Sequence, residues 1–99
     1  MESLKKLEVW FVTGSQHLYG EETLKQVQVH ANEIARKLNE LPEIPVQILA
    51  RPVVTTPSAI YQMCMDANHS VQCVGVITWM HTFSPAKMWI AGLQALKKP

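Results

Sequence analysis

Three stretches of β-branched, aromatic and aliphatic residues alternate with three amphipathic stretches along the chain. The apolar stretches lie at about 7–13, 46–50 and 72–79, and each predicts a β-strand. The third barely alternates between apolar and polar residues, which is typical of a strand covered on both faces. Alternating strands and helices predict an α/β domain with an open parallel sheet, because consecutive parallel strands are joined by crossover helices.

The amphipathic stretches predict one helix after each strand. Apolar residues in the first recur at spacings of three and four, which places them on one helix face: Leu24, Val27, Ala31, Ile34, Leu38 and Leu41. Thr56-Pro57 and Ser84-Pro85 each predict an N-cap followed by the first position of the second and third helices. We expect the third helix to reach Lys97-Lys98, where positive charge suits the end of a helix dipole.

The expected strand order is 2-1-3, with helices flanking the sheet. Strand three would then present an uncovered apolar edge, which promotes aggregation. No fourth strand pattern follows the third helix before Pro99, so we interpret the chain as the first part of a larger doubly wound domain. On this interpretation residues 1–6 are a polar N-terminal tail and residues 7–99 are an incomplete α/β domain.

Composition narrows the class of protein. Hydrophobic residues make up 47% of the chain and charged residues 17%, with a formal net charge of +1, which fits a globular domain and disfavours a nucleic-acid partner. No apolar run approaches the roughly 20 residues that span a bilayer, so no membrane partner is expected. Cys64 and Cys73 are too few for a disulfide framework. We therefore expect a cytoplasmic protein with two inert core thiols.

A ligand site is expected beyond the carboxyl ends of strands one and three, because open parallel sheets bind ligands where the strand order reverses. The loops at 13–20 and 80–84 combine neutral polar groups with aromatic side chains, which suits a neutral polyhydroxylated ligand. Phe83 could lay its ring against the C–H face of a sugar, or simply pack beneath its own loop. The alternative for both loops is that they only connect strands to helices.

Other ligands have weaker support. Neither glycine-rich nucleotide signature is present, and Glu21 and Glu22 in the first turn of helix one would repel a phosphate. An anion site at Ser84 and Lys87, where helix three is expected to begin, remains open. His17 and His81 could approach each other across the two loops, but no carboxylate or thiolate accompanies them at ligand spacing, so a metal site is not predicted.

At these same loops the sequence resembles a known family. Residues 11–24, FVTGSQHLYGEETL, are similar to the N-terminal signature of bacterial L-arabinose isomerases, and so are 52–57, PVVTTP, and 76–93, VITWMHTFSPAKMWIAGL. The resemblance covers nearly the whole chain from about Leu7. It implies a flavodoxin-like, Rossmann-like fold and an aldose–ketose isomerase that converts L-arabinose to L-ribulose, and often D-galactose to D-tagatose, through an enediol.

The resemblance also implies a Mn²⁺ cofactor and catalytic glutamates and histidines that lie downstream of these residues. No catalytic or metal-binding residue is therefore expected here, and we expect the 99-residue chain alone to be inactive. The family forms homo-oligomers in which the first loop reaches the substrate pocket of a neighbouring subunit. The matching positions are Gln16, which can donate and accept hydrogen bonds to sugar hydroxyls, and Leu18, with Tyr19 close by. A non-catalytic binding or assembly module of the same fold is the alternative.

Overall fold

The computed structural model describes residues 6–16, 19–81 and 85–99, in which strands and helices alternate as predicted. The strands are β1 (Glu8–Gly14), β2 (Gln47–Ala50) and β3 (Cys73–Met80). The helices are α1 (Gly20–Asn39), α2 (Pro57–His69) and α3 (Ile90–Ala95). None of these three helices is both long enough and apolar enough to cross a membrane.

The three strands form one parallel sheet in the order β2-β1-β3, which confirms the predicted α/β fold and strand order. The central strand β1 supplies side chains to both faces, because successive residues of a strand point in opposite directions. Phe11 packs on the α1 face, whereas Trp10 and Val12 pack on the α2 face. The sheet therefore lies between two helical layers.

Each face of the sheet has its own apolar core. The α1 face is the smaller and consists of Phe11, Ala31, Ala35 and Ile48. The α2 face is the larger and consists of Trp10, Val12, Val54, Ile60, Met63, Cys64, Ala67, Cys73 and Trp89. Its two tryptophans, Trp10 and Trp89, are only 5% and 3% exposed.

Strand β3 is less covered than its apolar sequence predicts. Ile77 is the register partner of Phe11 and so lies on the α1 face, yet it is 41% exposed. Helix α1 packs over β1 and β2 instead, and Val74 and Met80 are exposed as well. The prediction of cover on both faces is wrong for the described residues, because an apolar sequence does not specify which segment covers it.

The third helix also differs from its prediction. Pro85 has ψ 132°, so it precedes a 3₁₀ turn at Ala86–Met88 and is not the first residue of an α-helix. Helix α3 then spans only Ile90–Ala95 and stops short of Lys97-Lys98. The cause of its early end is Asn68 of α2, which donates to the Ala95 carbonyl at 2.8 Å and accepts from the Lys97 N–H at 2.6 Å.

Beyond α3 the chain returns to the sheet. The backbone N–H of Val76 donates to the carbonyl oxygen of Pro99 at 2.8 Å, on the edge of β3 that does not pair with β1. Gly75 allows this approach, because a Cβ atom there would lie 3.3 Å from the same oxygen. The edge that was expected to be open is therefore contacted by the chain itself at this position.

Candidate functional site

The carboxyl ends of β1 and β3 lie side by side. Gly14, the last residue of β1, is the register partner of Met80, the last residue of β3. The segments that follow these two strands therefore start at the same edge of the sheet. This is the juxtaposition on which the sequence-based site prediction depends.

The base of the first loop is held by the connection between β2 and α2. The N–H of Ser15 donates to the carbonyl oxygen of Val54 at 3.1 Å, and the N–H of Val54 donates to that of Thr13 at 3.0 Å. Thr13 and Ser15 are both fully buried. Because the backbone is fixed on both sides of Gly14, the chain leaves the sheet after Ser15 from a defined position.

The residue after Ser15 is Gln16, which is half-buried. Its carbonyl oxygen accepts the N–H of Tyr19 at 3.2 Å, which brings two of the predicted site residues together in one turn. Tyr19 is also half-buried, and Gly20 follows with φ 84°, a conformation that favours glycine, as the chain enters α1. The other two predicted site residues, Leu18 and Phe83, lie outside the described residues and stay predictions.

The charge around this turn is negative. Glu21 and Glu22 occupy the first turn of α1, and Tyr19 at the N-cap makes no side-chain cap hydrogen bond. Carboxylates in this position repel a phosphate that would otherwise be attracted to the helix N-terminus. After β3, the six-residue helix α3 begins at Ile90, beyond Ser84 and Lys87. The alternative anion site therefore loses the helix start that was expected at Ser84.

A histidine pair lies where β3 ends. His30 Nδ1 of α1 and His81 Nε2 are 2.7 Å apart, and the two rings lie end to end with an angle of 16° between their planes and centroids 4.9 Å apart. Trp79 contacts the His81 ring edge-on at 5.1 Å. The sequence pattern alone did not indicate this pair, because His30 and His81 lie 51 residues apart. The available signal was that His30 flanks the apolar stripe, three residues after Val27.

The pair joins α1 to the end of β3. Within the described residues, His81 Nδ1 is buried and has no hydrogen-bond partner. We therefore assign the proton of neutral His81 to Nε2, which donates to His30 Nδ1, because the other tautomer would bury an unpaired N–H. This hydrogen bond connects His81, the residue that follows β3, to helix α1.

The donor set for Mn²⁺ is not found in the described ranges, where no three His, Cys, Asp or Glu side chains converge. The two imidazoles therefore lack a further protein ligand there, and we derive no chemical step through a metal. Cys64 and Cys73 are unpaired and buried, as predicted for core thiols. Burial raises the pKa of the Cys64 thiol, which keeps it protonated and unreactive.

Comparison with known proteins gives consistent matches over the whole chain. A family model described as L-arabinose isomerase N-terminal domain matches residues 3–99. Proteins named L-arabinose isomerase from Koribacter versatilis and Geobacillus stearothermophilus are each 60% identical to the chain over 99 residues, and one from Tolumonas auensis is 62% identical. Each match covers all of this chain but 20% of the relative, so the chain spans about a fifth of the length of these relatives.

Proposed function

Because the chain belongs to the L-arabinose isomerase N-terminal domain family, we propose that it supplies the substrate-contacting N-terminal part of an aldose–ketose isomerase. The proposed reaction converts L-arabinose to L-ribulose, and D-galactose to D-tagatose, by moving a proton between C1 and C2 through an enediol. That reaction needs an acid/base pair and a group that polarises the substrate oxygens. We assign those groups, with the Mn²⁺ ion, to the part of the longer protein outside these residues.

The role proposed for this chain is to bind and enclose the sugar. We assign the binding of the sugar to Gln16, because a primary amide both donates and accepts hydrogen bonds and so matches a hydroxyl group, which does the same. Leu18 and Phe83 would cover the C–H faces of the sugar and exclude water, with Tyr19 at the edge of the pocket. The supporting observation is that Gln16 follows a fixed strand end at the edge shared by β1 and β3.

The charge of the turn bears on the substrate class. Glu21 and Glu22 make the start of α1 unfavourable for a phosphate group, which favours a free sugar over a sugar phosphate. The loop would act across a subunit boundary of a homo-oligomer, contributing Gln16 to the pocket of a neighbouring copy.

The experiment uses a full-length chimera in which these 99 residues replace the matching segment of the Geobacillus stearothermophilus relative, which is 60% identical to them. We expect Gln16→Ala to lower kcat/KM for L-arabinose about tenfold, the usual effect of losing one neutral hydrogen bond to a substrate. Gln26→Ala, on the exposed face of α1, is the matched control and should leave kcat/KM unchanged. Equal kinetics for the two variants would remove Gln16 from the site.

A non-catalytic binding or assembly module is the second candidate. The observation that favours it is apolar exposure on both sides of the third βα unit: Ile77 on the α1 face is 41% exposed, and Ile90 and Leu93 of α3 are 54% and 46% exposed. Surface of this kind commonly contacts another segment or subunit. Incubating the 99-residue chain alone with Mn²⁺ and L-arabinose distinguishes a self-sufficient enzyme from either role proposed here. We expect no L-ribulose, and turnover by the chain alone would contradict both roles.

A further inference from the structure

A cavity of about 250 Å³ opens at the carboxyl end of β2, between the β2–α2 connection and helix α2. It lies at the same end of the sheet as Gln16 but beside the edge strand, not between β1 and β3. Val54 and Met63 form part of its apolar wall, while Arg51 and Asp66 contribute the charged groups. No part of the proposed isomerase role uses this cavity.

Arg51 is held in one position by contacts on several sides. Its guanidinium carbon lies 4.4 Å from the centroid of the Trp10 ring, a cation–π contact with a buried indole. The Arg51 N–H donates to the carbonyl oxygen of Phe11 at 3.0 Å, and its carbonyl oxygen accepts from the Gln28 side chain at 3.3 Å. The guanidinium is therefore pre-positioned against Trp10.

In the described part of the chain, no acidic side chain forms an ion pair with the guanidinium. Its Nε atom is buried without a hydrogen-bond partner among the same residues. A guanidinium presents its N–H groups as a planar fork that matches the two oxygens of a carboxylate. Removing such a group from water without an anion is unfavourable, so an anion that reaches the guanidinium from the cavity would gain the charge interaction and hydrogen bonds to its N–H groups.

A negative charge in the lining of the cavity limits which anion can bind. Asp66 also lines the cavity, and its Oδ1 atom accepts a 2.8 Å hydrogen bond from the Gln62 amide. A second negative charge on the ligand would be repelled by this carboxylate, which disfavours a phosphate dianion. Ala59 and Met63 offer apolar contact to a short alkyl chain. We propose that the cavity binds a small aliphatic monocarboxylate, with the carboxylate on Arg51 and the alkyl group on the apolar wall.

Propionate is a suitable probe because it carries one carboxylate and two further carbons. We expect titration of the ¹⁵N-labelled 99-residue chain to give saturable shifts of the Arg51 Nε–H and the Ala59 amide. Propionate has five heavy atoms, and for a ligand of this size we expect a Kd of about 1–10 mM. Propionamide, which has the same shape and no charge, should give no saturable shift, and neither should phosphate at equal ionic strength. Saturation by propionamide, or tighter binding of phosphate than of propionate, would overturn the proposal.

Variants test the two charged walls separately. Arg51→Met keeps the length and apolar stem of the side chain and should weaken propionate binding at least tenfold, whereas Arg36→Met on exposed α1 should leave it unchanged. Asp66→Asn should strengthen propionate binding about twofold, a modest effect because this carboxylate is solvent-exposed. Unchanged binding in Arg51→Met, or weaker binding in Asp66→Asn, would contradict the assignment. If Arg51→Met does not fold, the propionamide comparison and Asp66→Asn still decide it.

Discussion

The second and third βα units begin alike and end differently. Thr56-Pro57 starts a helix of 13 residues, in which the Thr56 side chain accepts the Ala59 N–H at 3.0 Å. The similar dipeptide Ser84-Pro85 is followed by a 3₁₀ turn and then by α3, which has only six residues. A capping dipeptide therefore does not by itself fix where a helix starts or how long it is, because both also depend on packing.

The two helices differ in how many of their residues are buried. Helix α2 buries Ile60, Met63, Cys64 and Ala67, whereas Gly92 is the one buried residue that α3 contributes. The two helices approach closely at Gly92, where an added Cβ atom would lie 3.1 Å from the Cys64 sulfur. Helix α2 therefore packs against both the sheet and α3, while Ile90 and Leu93 of α3 remain about half exposed.

The largest expected effect comes from truncating one isoleucine in each helix. Ile60→Ala should lower the free energy of unfolding by about 3 kcal/mol, because Ile60 is fully buried and its loss leaves a cavity. Ile90→Ala should change it by less than about 0.5 kcal/mol, because Ile90 is 54% exposed. Urea unfolding of the 99-residue chain measures both. Comparable losses in the two variants would show that α3 is packed as firmly as α2.

A smaller effect is expected at the start of α2. Thr56→Ala removes the side-chain acceptor of the Ala59 N–H and should destabilise the chain by about 1 kcal/mol. Ser58→Ala, two residues later and exposed, is the matched control and should be neutral. The same urea unfolding experiment applies. A neutral Thr56→Ala would mean that packing alone, without the cap, fixes the beginning of α2.

The smallest effect concerns pH at the contact between α2 and α3. Burial raises the pKa of the Cys64 thiol above its ordinary value of 9.0, so the folded chain keeps the proton where the unfolded chain begins to lose it. This contribution to stability is complete below pH 9 and falls as pH rises, by at most about 0.8 kcal/mol near pH 9.5. Cys64→Ala should lack this part of the pH dependence. A constant stability difference between the two proteins from pH 7 to about 9.5 would refute the expectation.

The sequence predicted those features of the fold that depend on local pattern. The apolar stripe through Val27 and Ala31 located α1, and the three apolar runs located the strands and so their order. The end of α3 could not be predicted this way, because it depends on the Asn68 side chain, 27 residues from the Ala95 carbonyl that it contacts. The cover of β3 likewise depends on which segments pack on it.

Local sequence could place two of the predicted site residues in the fold, but it could not predict contacts between distant positions. Gln16 and Tyr19 could be placed near the strand ends because they directly follow β1. The contact between His30 and His81 joins residues 51 positions apart, and neither position indicates it alone. Nothing in the sequence pattern singles out Arg51 as a ligand-binding residue. Its role emerged from its contact with Trp10 and from the absence of a counter-ion in the described residues.

The most direct measurement is a crystal structure of the full-length chimera with L-arabinose bound. We expect the Gln16 side-chain amide to lie about 3 Å from a sugar hydroxyl oxygen, the distance of a hydrogen bond. The pocket should combine this amide with acid/base residues from outside the 99-residue segment. A sugar bound in the catalytic pocket with every Gln16 in the assembly beyond about twice that distance would contradict the proposed role of this chain.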